Sequence, residues 1–340
     1  GDFAHDRAAG AAPGASVVET QLWLMLDLML SGLALALGWA AVSSRDSQRS
    51  VVFFIAFGLL LAIVWARLNA PDLALAEAAI GAGLSGVLLL SALRDEPAAA
   101  TADEMIRGPR ALLVTLASLA LTALFAWVLL QTIDIADKVR MSDQIAAQLP
   151  HSGVTNPVTA VLLNFRAYDT LLELAVLLAA LLGILALGPA RPPYRAAGPL
   201  LSGLIRWLVP LLMLTAGYLL WAGAHAPGGA FQAGALLAAA AVMLRLGGDP
   251  GAGLPRPPVQ RLLLVAGIAG FLLVGIATTA IDRSFLHYPD GWSGGLILLI
   301  ETAATLAIAT TLALACIGGR PVGWEPGDDC AVDTGKGERK

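Results

Sequence analysis

An all-α bundle of transmembrane helices is the fold class this sequence predicts, on three observations. Of its 340 residues, 57% are hydrophobic and 14% charged, where soluble domains carry about 25% charged residues, and the mean hydropathy is +0.75. Ala, Leu and Gly dominate while aromatic residues make up 6%, a composition suited to helices packed closely in lipid rather than to a β-barrel with aromatic girdles. The apolar residues also fall into runs of about 20, the length that crosses a hydrocarbon core of about 30 Å.

Nine such runs are bounded by charge, Pro or Gly: 19–42, 50–68, 71–93, 109–133, 164–187, 199–223, 226–246, 259–281 and 292–317. The stretch before the first is rich in Ala, Gly and Asp and too polar to be the apolar core of a signal sequence. Two joints, 67–71 and 223–227, are tight. Each sets a proline, Pro71 or Pro227, where the next helix is expected to begin, a position at which its missing N–H and fixed φ cost nothing. The longest connection, 132–157, carries Asp134, Asp137, Lys138, Arg140, Asp143 and His151 around a short helical pattern and reads as a surface-lying amphipathic segment. The Pro-rich stretch 188–193 separates a five-helix front from a four-helix back.

Positive charge orients the bundle, because short cytoplasmic loops collect Lys and Arg. With nine spans, Arg7, Arg67, Lys138, Arg140, Arg166 and Arg283 fall on one side and the rest of the 21 Lys and Arg residues on the other. The expected topology is therefore an outer N-terminus and a cytoplasmic C-terminus.

A formal charge of −4 and an isoelectric point near 5.6 provide no basic field, so nucleic acid is not an expected partner. Cys316 lies in an apolar run and Cys330 in the polar tail, without CxxC spacing or paired His ligands, and neither a disulfide nor a metal site is expected. The motifs of ATPases, serine hydrolases, zinc peptidases and dinucleotide enzymes do not occur, which argues for a non-enzymatic role.

Charge at bilayer depth costs about 2.5–3.5 kcal/mol even on lenient scales, so each intramembrane carboxylate asks for an explanation. Asp27, Glu77, Glu173 and Glu301 lie well inside their runs. At 1.5 Å per residue they sit roughly 9 to 14 Å below the outer ends, in what reads as one layer open to proton transfer through water. Asp169 precedes Glu173 by four residues and shares its helix face, flanked by Tyr168 and Thr170. Like charges at that spacing repel, so a proton shared by the pair is favoured and a relay element results. Asp27 and Glu301 equally admit a structural reading, as an Arg partner for the first and a carboxylate solvated by the Thr302 and Thr305 hydroxyls for the second. Asp72, beside Pro71, reads as an N-terminal helix residue. A further polar constellation runs from His225 through Pro227, Gly228, Gly229 and Gln232 to Gly234. Its glycines permit close backbone approach, and Gln232 falls seven residues past His225 on nearly the same face.

These segments resemble a family of ion-translocating membrane complexes. The segment 70–83, APDLALAEAAIGAG, is similar to the APD-x-A-x-x-E-A-x-x-GAG signature of the D-type component of membrane-bound hydrogenases, also found in the C-terminal part of the large subunit of Mrp-type Na⁺/H⁺ antiporters. The segment 164–173, NFRAYDTLLE, resembles the (N/D)FR-x-(F/Y)DT-x-x-E element of the E-type component, with Ala167 and Leu172 where Gly is usual. The segment 225–234, HAPGGAFQAG, resembles the H-x-PGG-x-F-x-x-G hallmark of the antiporter's B-type component (MnhB), with Ala230 and Ala233 where further glycines are common.

The resemblance implies a D–E–B fusion in the bacterial inner membrane. It divides into a tail (1–18), a three-helix D-type module (19–108), a two-helix E-type module with an outer loop (109–188), a four-helix B-type module (189–318) and a polar cytoplasmic tail (319–340). It implies Glu77, Asp169 and Glu173 on an ion route, His225 and the glycines as a gating or structural element, and no organic cofactor. The partners it implies are antiporter-like large subunits and small subunits related to those of respiratory complex I. The expected function is that of a secondary-transporter subunit exchanging H⁺ against Na⁺. A redox-driven membrane arm and an assembly scaffold without its own ion route are the alternatives.

Overall fold

The computed structural model describes residues 13–93, 109–136, 141–186, 198–247, 253–282, 285–289 and 291–317. The Pro-rich boundary, the C-terminal tail with Cys330, and Asp137, Lys138 and Arg140 lie outside them. The described residues are helical throughout, without strands: α1 (Pro13–Ser43), α2 (Ser47–Arg67), a composite α3, α4 (Pro109–Ala136), α5 (Met141–Gln148), α6 (Pro157–Ala160), α7 (Ala167–Ala186), α8 (Pro199–Ala222), α9 (Ala230–Leu246), α10 (Pro257–Asp282) and α11 (Ser293–Ile317). Within α3, the α-helical turns Pro71–Ala76 and Ser85–Leu93 flank a π-helical stretch, Glu77–Leu84, and α6 likewise runs into a π turn, Val161–Phe165. Among the described residues eight helices are long and apolar enough to cross a membrane, and the chain is a multi-pass membrane protein.

The ninth expected span is the shorter α9, because residues 226–229 do not join it. Gly229 has φ +115°, outside any right-handed helix, and its N–H donates back to Leu219 O of α8 at 2.9 Å. Pro227 thus lies in a loop and does not start a helix, whereas Pro71 does occupy the first turn of α3. At that hairpin, Asn69 takes the left-handed conformation (φ 58°), which a short polar side chain tolerates, and Ala70 N–H closes onto Trp65 O at 2.9 Å. The expected span 164–187 is also divided. Arg166 (φ −129°, ψ 35°) ends the π turn and α7 starts afresh at Ala167. The charged connection does contain a helix, the exposed α5.

The core gathers around α11, which packs against α7, α9 and α10 and touches α8. Phe271, Ile297 and Ile300 are fully enclosed there. By contrast, α4 is exposed along its described side chains, as expected of a helix facing lipid or other chains. Apolar packing alone gives lipid-embedded helices little drive to associate, so small residues set their approach. A Cβ on Gly234 of α9 would lie 2.7 Å from Ile308 Cγ2 of α11. Between α10 and α11, Tyr288 reaches across to donate its hydroxyl to Leu163 O at 2.7 Å, with Leu286 N–H donating to Thr278 Oγ1 at 3.0 Å. Burial pushes the Tyr288 hydroxyl above its ordinary pKa, so it remains a neutral donor.

Two substitutions test this packing by thermal unfolding of the purified membrane protein. Gly234→Val should destabilise by about 1–3 kcal/mol through overpacking, while Gly203→Ala, where a Cβ meets nothing within 4 Å, should leave stability unchanged or slightly raised. Tyr288→Phe leaves the Leu163 carbonyl unpaired and should cost about 1–3 kcal/mol.

Candidate functional site

Three helix beginnings and ends meet at one polar knot. Asp72 in the first turn of α3 is 7% exposed. Its Oδ1 accepts from Gly228 N–H at 3.0 Å and from Asn156 Nδ2 at 3.4 Å. Asn156 also caps α6, its Oδ1 accepting from Val158 N–H at 2.9 Å, and donates its amide to Ala226 O at 2.9 Å. Thr155 and Asn156 N–H both donate to Ala224 O, and Thr159 Oγ1 donates to Gly223 O. Asp72 therefore does not serve its own helix end, as its place beside Pro71 suggested. It ties the front of the chain to the 223–229 loop. Orphan N–H groups in a buried glycine loop demand an acceptor, and that demand is the sequence signal that points to such a residue.

Beside the knot lies a cavity of about 370 Å³, walled by α3, α6, α7, the glycine loop, α9 and α11. Asp72, Glu173, Gln232 and Glu301 line it, and the structure thus brings two of the expected intramembrane carboxylates, Glu173 and Glu301, to one space. Glu173 also lines an open groove of about 580 Å³ with Arg166, Asp169 and Phe231, so it stands between the outer groove and the inner cavity. Asp169 and Glu173 share a face as expected, and Asp169 is held by Arg166 at 2.5 Å.

Glu301 is 2% exposed and its Oε2 has no hydrogen-bond partner. The neighbouring hydroxyls do not solvate its carboxylate, contrary to the reading from sequence. Thr302 Oγ1 donates to Leu298 O and Thr305 Oγ1 to Glu301 O, both at 2.7 Å, because the carbonyl four residues back is the nearest acceptor on a helix. Gln232 does not share a helix face with His225. It sits in the first turn of α9 and donates Nε2 to Asp72 O at 3.1 Å, while the exposed His225 meets Thr155 Oγ1 through Nδ1 at 3.2 Å. Pro227, Gly228 and Gly229 form the loop, and Gly234 the contact with α11.

Glu77 opens the π stretch of α3, and its carboxylate folds back over Gly81, into the space a Cβ there would need. It lines neither of these two cavities, although Ala76 beside it lines the inner one. Asp27 lies elsewhere, paired with Arg67 (Oδ1 to Nε 3.0 Å, Nη2 to Oδ2 3.1 Å), whose guanidinium rests 4.6 Å over the Trp23 ring. Among the described residues no three His, Cys, Asp or Glu side chains cluster to hold a metal ion.

Comparison with known proteins agrees with this geometry. Residues 32–98 match the MbhD family, the D-type component of MBH, and residues 200–318 match the domain related to the MnhB subunit of Na⁺/H⁺ antiporter. A fused A/B component of a probable K⁺/H⁺ antiporter from Rhizobium meliloti (strain 1021) is 28% identical over 241 residues, covering 60% of this chain and 24% of that protein. The chain thus spans about a quarter of that relative's length. The fold is also that of a chain in the Mrp complex from Dietzia sp. DQ12-45-1b (TM-score 0.70, 24% identity, 88% of this chain and 35% of that one). A chain of the membrane-bound sulfane sulfur reductase, an archaeal respiratory membrane complex, is similar too (TM-score 0.50, 24% identity, 61% of this chain and 97% of that one). The chain is therefore an MnhB-like fusion, joining an MbhD-type module to an MnhB-related domain on one polypeptide.

Proposed function

We propose that this chain is a membrane subunit of an Mrp-type cation/proton antiporter, exchanging Na⁺ or a related cation for H⁺ together with antiporter-like large subunits and small complex I-related subunits in a bacterial cytoplasmic membrane. The observation that carries the reading is the position of Glu173, shared by the outer groove of Arg166 and Asp169 and the inner cavity of Glu301. A carboxylate that faces both compartments, with an unpartnered carboxylate beyond it, is the arrangement a proton relay across a membrane needs. The stretch between the two matched regions, with Asp169 and Glu173, is the E-type module on this reading, and Glu77 a further proton-carrying site of the D-type module.

A second reading, a membrane arm driven by a redox enzyme, is favoured by the likeness to a chain of a respiratory complex over 97% of that chain. Mass spectrometry of what co-purifies with the native chain separates the two. Antiporter-like subunits alone support exchange, and iron–sulfur subunits support redox-driven pumping.

In inverted vesicles containing the assembled complex, Glu173→Gln should lower cation/H⁺ exchange at least about tenfold, which corresponds to about 1.4 kcal/mol or more on the limiting step, with Glu77→Gln lowering it in the same direction. Full-rate exchange by assembled variants would remove both residues from the route. Asp72→Ala, which strands the Gly228 N–H and the Asn156 amide, should lower the thermal stability of the complex by about 1–3 kcal/mol, and Asp72→Asn, retaining an acceptor oxygen, by less.

A further inference from the structure

We infer that the inner cavity is a binding site for a partly hydrated monovalent alkali cation, held between the Glu301 carboxylate and the side-chain carbonyl of Gln232 over the bare backbone of Gly229. Its assignment to transport rests on the antiporter reading; the site itself rests on three features of the geometry.

The first is an uncompensated charge. Glu301 is buried to 2% exposure, its Oε2 lacks a partner, and the two adjacent threonines are committed to backbone carbonyls. Asp72 and Glu173 line the same cavity, and among the described residues lining it there is no Lys, Arg or His. The Asp72 charge is met by the Gly228 and Asn156 donors, whereas nothing meets that of Glu301. A carboxylate in such a place requires a positive charge beside it.

The second is the convergence of acceptors. The bond from Gln232 Nε2 to Asp72 O fixes which end of the amide faces the cavity. Measured from the point a Cβ of Gly229 would occupy, Glu301 Oε1 is 3.2 Å away and Gln232 Oε1 3.7 Å. Two acceptor oxygens facing one point repel unless something electropositive lies between them. A Cβ at residue 229 would fill that point, and the φ of +115° reserves it for glycine.

The third is size and ligand chemistry. A space of about 370 Å³ is far larger than a proton shared between two side chains requires, and a water takes about 30 Å³. Carboxylate, amide carbonyl and hydroxyl oxygens are hard donors suited to alkali ions. The described residues bring no three His, Cys, Asp or Glu side chains together, so the site offers neither the nitrogen and sulfur cage that zinc takes nor the carboxylate cage of a high-affinity calcium site.

The test is an infrared difference spectrum of the assembled complex in lipid, recorded at fixed pH as choline chloride is exchanged for NaCl or KCl. The wild type should show a saturable change in carboxylate stretching bands. Glu301→Gln should remove that component, and Gln232→Leu, which leaves every carboxylate in place, should raise the half-saturating cation concentration about tenfold through loss of one oxygen ligand. The exposed Asp143→Asn should match the wild type. Wild-type spectra that respond to protons and not to either cation, or a cation response unchanged in both Glu301→Gln and Gln232→Leu, would overturn the site. Should Glu301→Gln fail to assemble, the Gln232→Leu shift decides. Cation/H⁺ exchange measured on the same wild-type preparation keeps the questions apart. Exchange without a Glu301-dependent band sinks the site and leaves the antiporter reading standing; the band without exchange does the reverse.

Discussion

Asp72 brings a negative charge to the place where the front and back of the chain touch, and the arrangement of the cavity follows from how that charge is satisfied. Its Oδ1 takes the N–H of Gly228, its backbone oxygen takes the amide of Gln232, and Asn156 joins the same Oδ1 to the cap of α6. A buried carboxylate with several donors is a rigid element, because losing any donor leaves a charge partly desolvated and unpaired. The glycine loop is consequently held against α3, and the loop in turn sets Gly229 against Glu301. Were Asp72 merely the acidic residue of its own first turn, the loop would have no partner for its N–H groups and the walls of the cavity would be independent of one another.

The packing of α11 supplies the complementary constraint. Glu301 can be buried to 2% because Ala304, Ala307 and Ala313 on the same helix, and Gly234 opposite, let α9 and α10 approach closely. Small residues exclude lipid and leave little volume except where the cavity stands. Close packing thus seals the polar space from the bilayer on one side, while Glu173 on α7 leaves it accessible from the other.

Much of this was legible from sequence because the governing signals are local. Runs of about 20 apolar residues mark spans wherever lipid is the solvent, and the Pro71 hairpin declares itself through proline at a helix start. Intramembrane carboxylates stand out by cost alone, which singles out Glu173 and Glu301 without any knowledge of the cavity they share. What was not legible depends on distant partners. The acceptors and donors of the knot are separated by 84 and 156 residues, so Asp72 looked like an end-of-helix residue. Pro227 resembled Pro71 until the positive φ of Gly229 and its bond to Leu219 placed it in a loop. The threonines beside Glu301 offered hydroxyls to two competing acceptors, and the backbone carbonyl one turn back prevailed.

The irregular backbone follows the same logic as the side chains. In hydrocarbon, freed carbonyls must find donors within the protein, so departures from the α-helix are tolerated where they are buried or line a cavity. Both π stretches obey this. Glu77–Leu84 is answered by Ser85 Oγ, which donates to Ile80 O at 3.0 Å, and Val161–Phe165 by Thr170 Oγ1, which donates to Leu162 O at 2.7 Å. Each lies beside the cavity, with Ala76 just before the first and Leu162 and Leu163 within the second lining it. A π turn adds one residue to a helix and rotates everything beyond it. The turn at 161–165 is followed by the break at Arg166, after which α7 presents Asp169 to the groove and Glu173 to both spaces. A regular helix running unbroken from Pro157 would carry those two carboxylates around to a different face, so the backbone defect is what aligns them with Glu301.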